Sequence, residues 1–296
     1  MLEHYTDHRY PNRKISDFKI AVIGKGAVGS TISKILKSRF ISHDSYDSSN
    51  IETSFDKHYD LMIYAGVNAS KYIADSDPFN DRLHCLRAFE IFKDFDSDYK
   101  ILISTIDASD KFEDRTDYGL NRRMLEKMVL EECDVFTSSI IRLPALYGSQ
   151  VKKNTWYDCV RGAESVELNN DFKTKIIDEI GSSYDASKYN ILSFVSKSSV
   201  FCWYDLDTIL SSIWRSMKMK DRLIQVVSYD DNNKNGLVMT HKEMLDQFGY
   251  EEVEELQCSS KRDYRTALID ADCRLMFEKS KNSIFNRVVS KGDRNL

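Results

Sequence analysis

Proline and glycine are scarce in this chain, three and eleven among 296 residues. So few chain-breakers exclude a loop-dominated, collagen-like or disordered polypeptide. Cysteine is scattered rather than clustered: Cys85, Cys133, Cys159, Cys202, Cys258 and Cys273 have no two within four residues of each other. That spacing argues against the close pairs of a zinc site and against a disulfide framework, and for thiols in a reducing compartment. The N-terminus has no apolar signal core. No apolar run reaches the roughly 18–20 residues that span a bilayer. Basic residues form no block, and the net charge is −5, so nothing offers an electrostatic footprint for nucleic acid. These absences predict a cytoplasmic protein with no metal, no nucleic acid and no membrane among its partners.

What is present is an ordinary globular balance, 42% hydrophobic and 30% charged, on a chain long enough for one large or two small domains. Residues 1–17 are polar, carry Pro11, His4 and His8, and read as a solvated extension. From Lys19 the pattern changes. Lys19–Ile23 is a short apolar strand, followed by a glycine turn and a helix over residues 27–36. A second strand is expected near Phe40-Ile41, and a third over Asp60–Gly66. Pro78 opens a helix with Leu83, Leu86, Phe89 and Phe92 on one face. Lys100–Ser104 is apolar on both faces, as a central parallel strand should be. Residues 117–130 read as a helix with Leu120, Met124, Leu125 and Met128 inward, and Ser139–Leu143 as another strand. The alternation predicts a parallel sheet covered by helices on both faces.

Past Gly148 the elements become shorter and more polar. Asp205 is placed to cap a helix running through Trp214, Leu223–Val227 is a strand, and Thr240 with Glu243 forms a capping box. The tail from Ser290 is polar. No internal repeat or low-complexity tract is present. The chain therefore divides into an extension (1–17), a dinucleotide-binding domain (18–150) and a mainly substrate-binding domain (151–296), some segments of which return to the first sheet.

Gly24-Lys25-Gly26-Ala27-Val28-Gly29 is G-x-G-x-x-G between a strand and a helix. The first glycine permits a tight turn, the second lets a pyrophosphate approach bare backbone, and the third brings helix close to sheet. Its strand-turn-helix context makes it a Rossmann-type signal, with a ligand-free structural turn as the bland alternative. The acidic residue expected about twenty positions on is Asp44 or Asp47, with Ser48, Ser49 and Asn50 nearby to hold a ribose. No basic residue at that second turn favours an extra phosphate, so NAD and NADP both stay open. Ala65 and Gly66 end the third strand in small residues, beside the same cofactor.

Three further pieces fall where a reductase site needs them. Ser104-Thr105 lies at the C-terminal end of a central strand, the edge where such sheets bind ligands. Tyr118 and Arg122 share one helix face. Arg142-Leu143-Pro144-Ala145-Leu146-Tyr147-Gly148 runs from strand into turn. In these segments the chain resembles the extended short-chain dehydrogenase/reductase family of nucleotide-sugar epimerases, dehydratases and ketoreductases. Ile103–Asp107 resembles its strand motif, Tyr118–Arg122 its Tyr-x-x-x-Lys, residues 142–148 its Arg-Leu-x-x-Leu-Tyr-Gly, and Lys152-Lys153-Asn154 its substrate-binding asparagine turn. Trp203-Tyr204-Asp205-Leu206 is similar to a late segment before the C-terminal domain. The resemblance covers roughly residues 18–215.

It implies a doubly wound α/β Rossmann sheet with a smaller C-terminal α+β substrate domain. Thr105 would hydrogen-bond the substrate oxygen, Tyr118 would be the acid/base, and Arg122 would hold the nicotinamide ribose and lower the phenol's pKa. Asp107, Arg142 and Asn154 would face the substrate, although Arg142 also suits a structural ion pair and Asn154 a helix cap. Three departures stand out. Arg122 occupies the lysine position, and a guanidinium does not reproduce an ammonium's contacts. The glycine turn is one residue tighter than the family's usual spacing. Dehydratases carry Asp-Glu after the threonine, whereas Ile106 stands here with only Asp107 remaining. The resemblance thus implies an NAD(P)-dependent epimerase or ketoreductase on a nucleotide sugar, in polysaccharide or deoxysugar biosynthesis, working as a homodimer through the helices at 82–95 and 117–132. The alternatives are a non-catalytic NAD(P)-binding sensor or scaffold, which Arg122 favours, and a reductase of a non-sugar ketone, which the Lys152-Lys153 pair disfavours.

Overall fold

The computed structural model describes residues 15–111, 116–219, 221–229, 236–265 and 273–280. Most of the expected extension, with His4, His8 and Pro11, lies outside the described residues, as does the tail from Ser290.

β1 (Ile20–Ile23) is buried at every position. Its alternate side chains serve two cores: Ile20 and Val22 join one apolar cluster, Ala21 and Ile23 another. A strand buried on both faces needs a helical layer on each side, and the chain supplies both. α1 (Ala27–Ser38) and α7 (Ile209–Ser216) cover one face, while α3 (Pro78–Asp94) and α4 (Asp117–Glu132) cover the other. The sheet also contains β2 (His43–Tyr46), β3 (Tyr59–Tyr64), β4 (Ser97–Thr105), β5 (Ser138–Leu143), β8 (Leu223–Tyr229) and β10 (Arg274–Lys279). Its order is β10-β8-β5-β4-β3-β1-β2, and every pairing is parallel. The chain moves from β1 outward to β2, then returns to place β3 on β1's other side. That reversal creates a topological switch point, with a crevice at the C-terminal strand ends.

A smaller sheet, β6 (Ala145–Tyr147), β7 (Val200–Asp205) and β9 (Val238–Thr240), is ordered β6-β7-β9. α5 (Thr155–Arg161) and α8 (His241–Phe248) pack against it, and α6 (Asn170–Ile180) buries Ile176 in a separate cluster with Leu168 and Leu256. A short helix, α2 (Lys71–Ser76), precedes α3.

Several elements differ from expectation for identifiable reasons. β2 starts at His43 because Phe40 is the left-handed exit from α1, at φ 57, with its ring 95% exposed and the Ile41 amide donating to Leu36 O. Leu83 and Leu120, expected inward, are 45% and 46% exposed. The inward stripes instead contain Asp81 and Cys85 on α3, and Asn121, Arg122 and Glu126 on α4. Phe89, Phe92 and Leu125 do face inward, with Met124 and Met128 packed against the same cluster, but a periodicity count that assigns every charge to solvent misses the buried charges beside them. Asp205 caps a short 3-10 turn over residues 206–208, and α7 begins only at Ile209. The Thr240–Glu243 capping box forms and opens α8.

His241, the first residue of α8, is fully buried. Nδ1 lies 3.0 Å from the Val195 carbonyl and Nε2 3.1 Å from the Thr155 hydroxyl. Burial lowers its pKa to about 4, against the upward pull of the Val195 carbonyl and Glu255. The folded state thus favours the neutral ring. Its contribution to stability is complete above the ordinary value of 6.5 and drains as pH falls toward 4. Urea denaturation should show about 3 kcal/mol of this loss between those pH values. His241→Gln should flatten the slope; identical slopes in the two proteins would overturn the assignment.

Candidate active site at the strand ends

The C-terminal ends of β1, β3 and β4 lie side by side on one sheet edge, since the three strands pair in parallel. After β1 comes the glycine turn. Gly24 sits at φ +105, and a Cβ there would collide with the Ala65 carbonyl at the end of β3. A Cβ on Gly29 would run into the Gly24 carbonyl. Both positions therefore require glycine for fold reasons alone. Gly26 differs: a Cβ there would meet nothing within 4 Å. It is the N-cap of α1 and provides no side-chain cap, so the first-turn amides of the helix receive none from it, beside open space at Gly26 itself. An open cradle of bare amides at a helix N-terminus fits a diphosphate.

Asp47 directly follows β2. Lys25, from the middle of the glycine turn, pairs with its Oδ2 at 2.8 Å, and the Ser49 amide and hydroxyl donate to Oδ1. The Lys25 contact leads in holding this carboxyl down at about 2. Ser48 is exposed on the same turn. Asp44 lies elsewhere, accepting from the Tyr59 hydroxyl at 2.6 Å.

After β4, Thr105 donates to Asp107 Oδ2 at 2.8 Å, and its oxygen accepts the Asp107 amide at 3.3 Å. The turn cap and the functional reading therefore occupy the same residue. Thr105 also lies near enough to the Tyr118 phenol to ease its ionisation. Gly119 lets α4 approach this turn, for a Cβ there would meet the Asp107 carbonyl at 2.5 Å. α4 is pinned from a second side, because the Tyr118 amide donates to Asp75 of α2 at 2.9 Å. Burial pushes the Tyr118 phenol up to about 12; Arg122 opposes that rise and Asp107 adds to it.

Arg122 lies 4.3 Å from the Tyr118 ring centroid, yet its guanidinium is committed elsewhere. Nη1 and Nη2 donate to the two oxygens of Asp81 at 2.8 and 2.9 Å, Nη1 also reaches Cys85 Sγ at 3.0 Å, and Nη2 donates to the Asn68 carbonyl. The two side chains are 3% and 4% exposed. These contacts make Arg122 a bidentate clamp between α3 and α4. Arg142 behaves alike. Its Nε and Nη2 bind Glu126 at 3.0 and 2.7 Å, and Ser104 donates to the same carboxylate at 2.6 Å. Asn154 accepts the Tyr157 amide at 3.0 Å as the cap of α5 and donates to the Leu146 carbonyl at 2.7 Å. It does so at φ 138, a strained conformation for a residue with a Cβ.

Sequence reasoning missed Asp81, Glu126, Lys25, Lys71 and Tyr264. Lys71 pairs with Asp107, and Tyr264 donates to Asp107 Oδ1 at 3.3 Å. Lys25 alone left a signal, a basic residue inside the glycine turn. Among the described residues no group of three or more His, Cys, Asp or Glu could hold a metal ion, and no helix is long and apolar enough to cross a membrane.

This is a Rossmann-type α/β fold with its crevice at the switch point. No protein-family model matches the chain, and no curated protein matches it by sequence. Solved structures match it in shape. UDP-glucose 4-epimerase from Thermotoga maritima, solved with UDP-glucose, aligns with a TM-score of 0.59 at 14% identity, over 91% of this chain and 96% of that one. L-threonine 3-dehydrogenase from Trypanosoma brucei gives 0.55 at 13% identity, over 92% and 94%. RMD from Pseudomonas aeruginosa, complexed with NADPH, gives 0.55 at 13% identity, over 92% and 96%. At these identities the likeness establishes the fold, a seven-stranded sheet that epimerases and dehydrogenases share.

Lysine at position 122 could not reproduce the two-pronged contact with Asp81. Arg122→Lys should lose about 2–4 kcal/mol of stability in urea denaturation, and Asp81→Asn a similar amount. A loss below about 0.5 kcal/mol, the level of a surface substitution, would show that the clamp carries no structural weight.

Proposed function

We propose that the chain is an NAD(P)-dependent enzyme acting on a nucleotide-activated sugar, as an epimerase or a keto-sugar reductase. The observation that carries this reading is the meeting of Thr105, Asp107 and Tyr118 on the same sheet edge as the open glycine turn. When bound, the dinucleotide supplies hydride exchange at a sugar carbon. Gly24, Gly26, Ala27, Val28 and Gly29 would hold its diphosphate. Asp47 and Ser48 would hold the adenosine ribose, Asp47 offering a carboxylate to a 2′-hydroxyl and Lys25 an ammonium to a 2′-phosphate. Ala65 and Gly66 would line its path toward Tyr118.

The chain's own residues would do the proton work. Thr105 would orient the reacting oxygen. Tyr118, kept neutral by burial, is suited to donate a proton to the oxygen of a ketone as it is reduced. Support for a nucleotide-sugar substrate comes from Arg262. It lies close enough to Lys71 and Tyr264 to influence both, and its Nη1 is buried without a hydrogen-bond partner among the described residues. A donor so placed suits a diphosphate. Asn154 would shape the substrate lobe through its cap of α5, and a role in polysaccharide or deoxysugar biosynthesis follows from that substrate class.

A second reading, a non-catalytic NAD(P)-binding sensor or scaffold, draws on one observation: the charge of Arg122 is already matched by Asp81. Titration with NAD(H) and NADP(H), followed by turnover with a panel of nucleotide sugars, separates the readings. Enzyme action requires wild-type turnover and a loss of about 100-fold or more in Tyr118→Phe. Tight cofactor binding with no turnover across the panel selects the sensor. A melting temperature unmoved by either dinucleotide removes both.

We also propose a homodimer through α3 and α4. Phe79, Leu83 and Leu120 expose apolar side chains on these two helices, at 70%, 45% and 46%. Light scattering should find a dimer in the wild type and a folded monomer in Leu83→Glu/Leu120→Glu. A monomeric wild type would sink this part.

A further inference from the structure

Arg122, although clamped by Asp81, still favours the Tyr118 phenolate, and the Asp107 carboxylate opposes it. Lys71, the first residue of α2, stands beside that carboxylate. Its ammonium pairs with Asp107 Oδ1 and lies 5.9 Å from the centroid of the Tyr118 ring. The Lys71 and Asp107 side chains are 21% and 11% exposed, so little solvent screens them. Asp107 takes the Thr105 hydroxyl on its other oxygen, and Thr105 is near enough to the phenol to ease its ionisation. The helix carrying Lys71 is also braced, for Asp75 of α2 receives the Tyr118 amide. Lys71, Asp107, Thr105 and Tyr118 thus form one connected group, drawn from α2, the turn after β4, and α4.

We propose that Lys71 is a second, positioning cation of this site, cancelling the Asp107 charge beside Tyr118 while Arg122 acts from the other side. The inference rests on the enzymatic reading for its meaning but not for its test. Electrostatics gives the direction. Asp107 is one of the groups that make the Tyr118 phenol harder to ionise. An unmatched carboxylate at that position would oppose the phenolate more strongly than one paired with an ammonium. Among the described residues, the groups facing Lys71 include Asp107 from the turn after β4, Arg262 from the segment beyond α8, Asp75 from its own helix and Tyr118 from α4. Burial lowers the Lys71 ammonium from its ordinary value and Arg262 acts the same way, while Asp107 and Asp75 hold it up.

The test places a polyfluorinated tyrosine, whose phenol ionises more readily, at position 118 and follows its titration by 19F NMR. Lys71→Met should move that titration upward by about one pH unit. Lys71→Arg, which keeps the charge, should move it much less. Asp107→Asn, which removes the carboxylate itself, should move it down. Equal titrations in wild type and Lys71→Met overturn the proposal, as does an upward move in Asp107→Asn. Should Lys71→Met not fold, Lys71→Gln carries the same expectation and the Asp107→Asn arm still decides the sign. In turnover of the nucleotide-sugar panel, Lys71→Met should lower kcat about 10- to 100-fold with KM within about twofold, and Lys71→Arg should restore most of it. A wild type that turns over none of the panel defeats the enzymatic reading alone; the fluorotyrosine titration still judges Lys71.

Discussion

The buried ion pair between Arg122 and Asp81 sets the conditions for the rest of this molecule. Each partner is almost wholly removed from water, and either charge alone at that depth would cost several kcal/mol. The pair survives because its geometry is complete: two parallel N–H···O contacts, with a backbone carbonyl and a thiol taking up remaining guanidinium capacity. Such a pair adds little net stability over a well-packed apolar replacement, but removing one member is expensive. What it provides is registry. α3 and α4 meet at one rotation and one height, because only there do fork and carboxylate coincide. Tyr118, one helical turn before Arg122, is placed by that registry.

A second pair repeats the pattern one layer deeper. Glu126, one turn past Arg122, accepts both Arg142 from β5 and Ser104 from β4. The side of α4 facing the protein thus carries Tyr118, Arg122 and Glu126 in succession, each tied to a different element. A helix held by directional contacts rather than interchangeable apolar ones can hold a phenol in one orientation, which general acid–base work requires. The strain at Asn154 fits the same logic, since its amide is spent on backbone groups that fix how α5 leaves the smaller sheet.

The same charges mark where the sequence could be read and where it could not. The glycine turn was legible because its rule is about backbone: Gly24 and Gly29 are constrained by contacts a Cβ would destroy. Strand ends were legible too, since runs such as Ile101–Ser104 are apolar on both faces and end in a hydroxyl residue. The charges on the inward sides of α3 and α4 were not. Leu83 and Leu120 imitate an inward stripe, while Asp81, Arg122 and Glu126 look like a solvated face until their partners are known. Those partners lie far off in sequence, 41 residues between Arg122 and Asp81 and 16 between Arg142 and Glu126. Tyr264 approaches Asp107 across 157 residues, and Lys71 across 36. A pattern read over a dozen residues cannot contain such pairs.

Charge accounting links these observations to the site. Where a lysine is expected, this chain has an arginine, and the substitution changes more than shape. A guanidinium is a multi-pronged donor suited to burial against a carboxylate, and Asp81 completes it; the pair is then electrically closed. Asp107 and Lys71 form a second pair beside the phenol, and it too is matched. The pairs differ in freedom. Asp81 and Arg122 are sealed between helices at 4% and 3% exposure, whereas Lys71 and Asp107 stand at the sheet edge with 21% and 11% of their side chains open. A sealed pair can fix geometry but cannot respond to a ligand. An open one is free to rearrange its hydrogen bonds. The two pairs thus differ in kind, the arginine's fixing the helix and the lysine's lying open at the sheet edge.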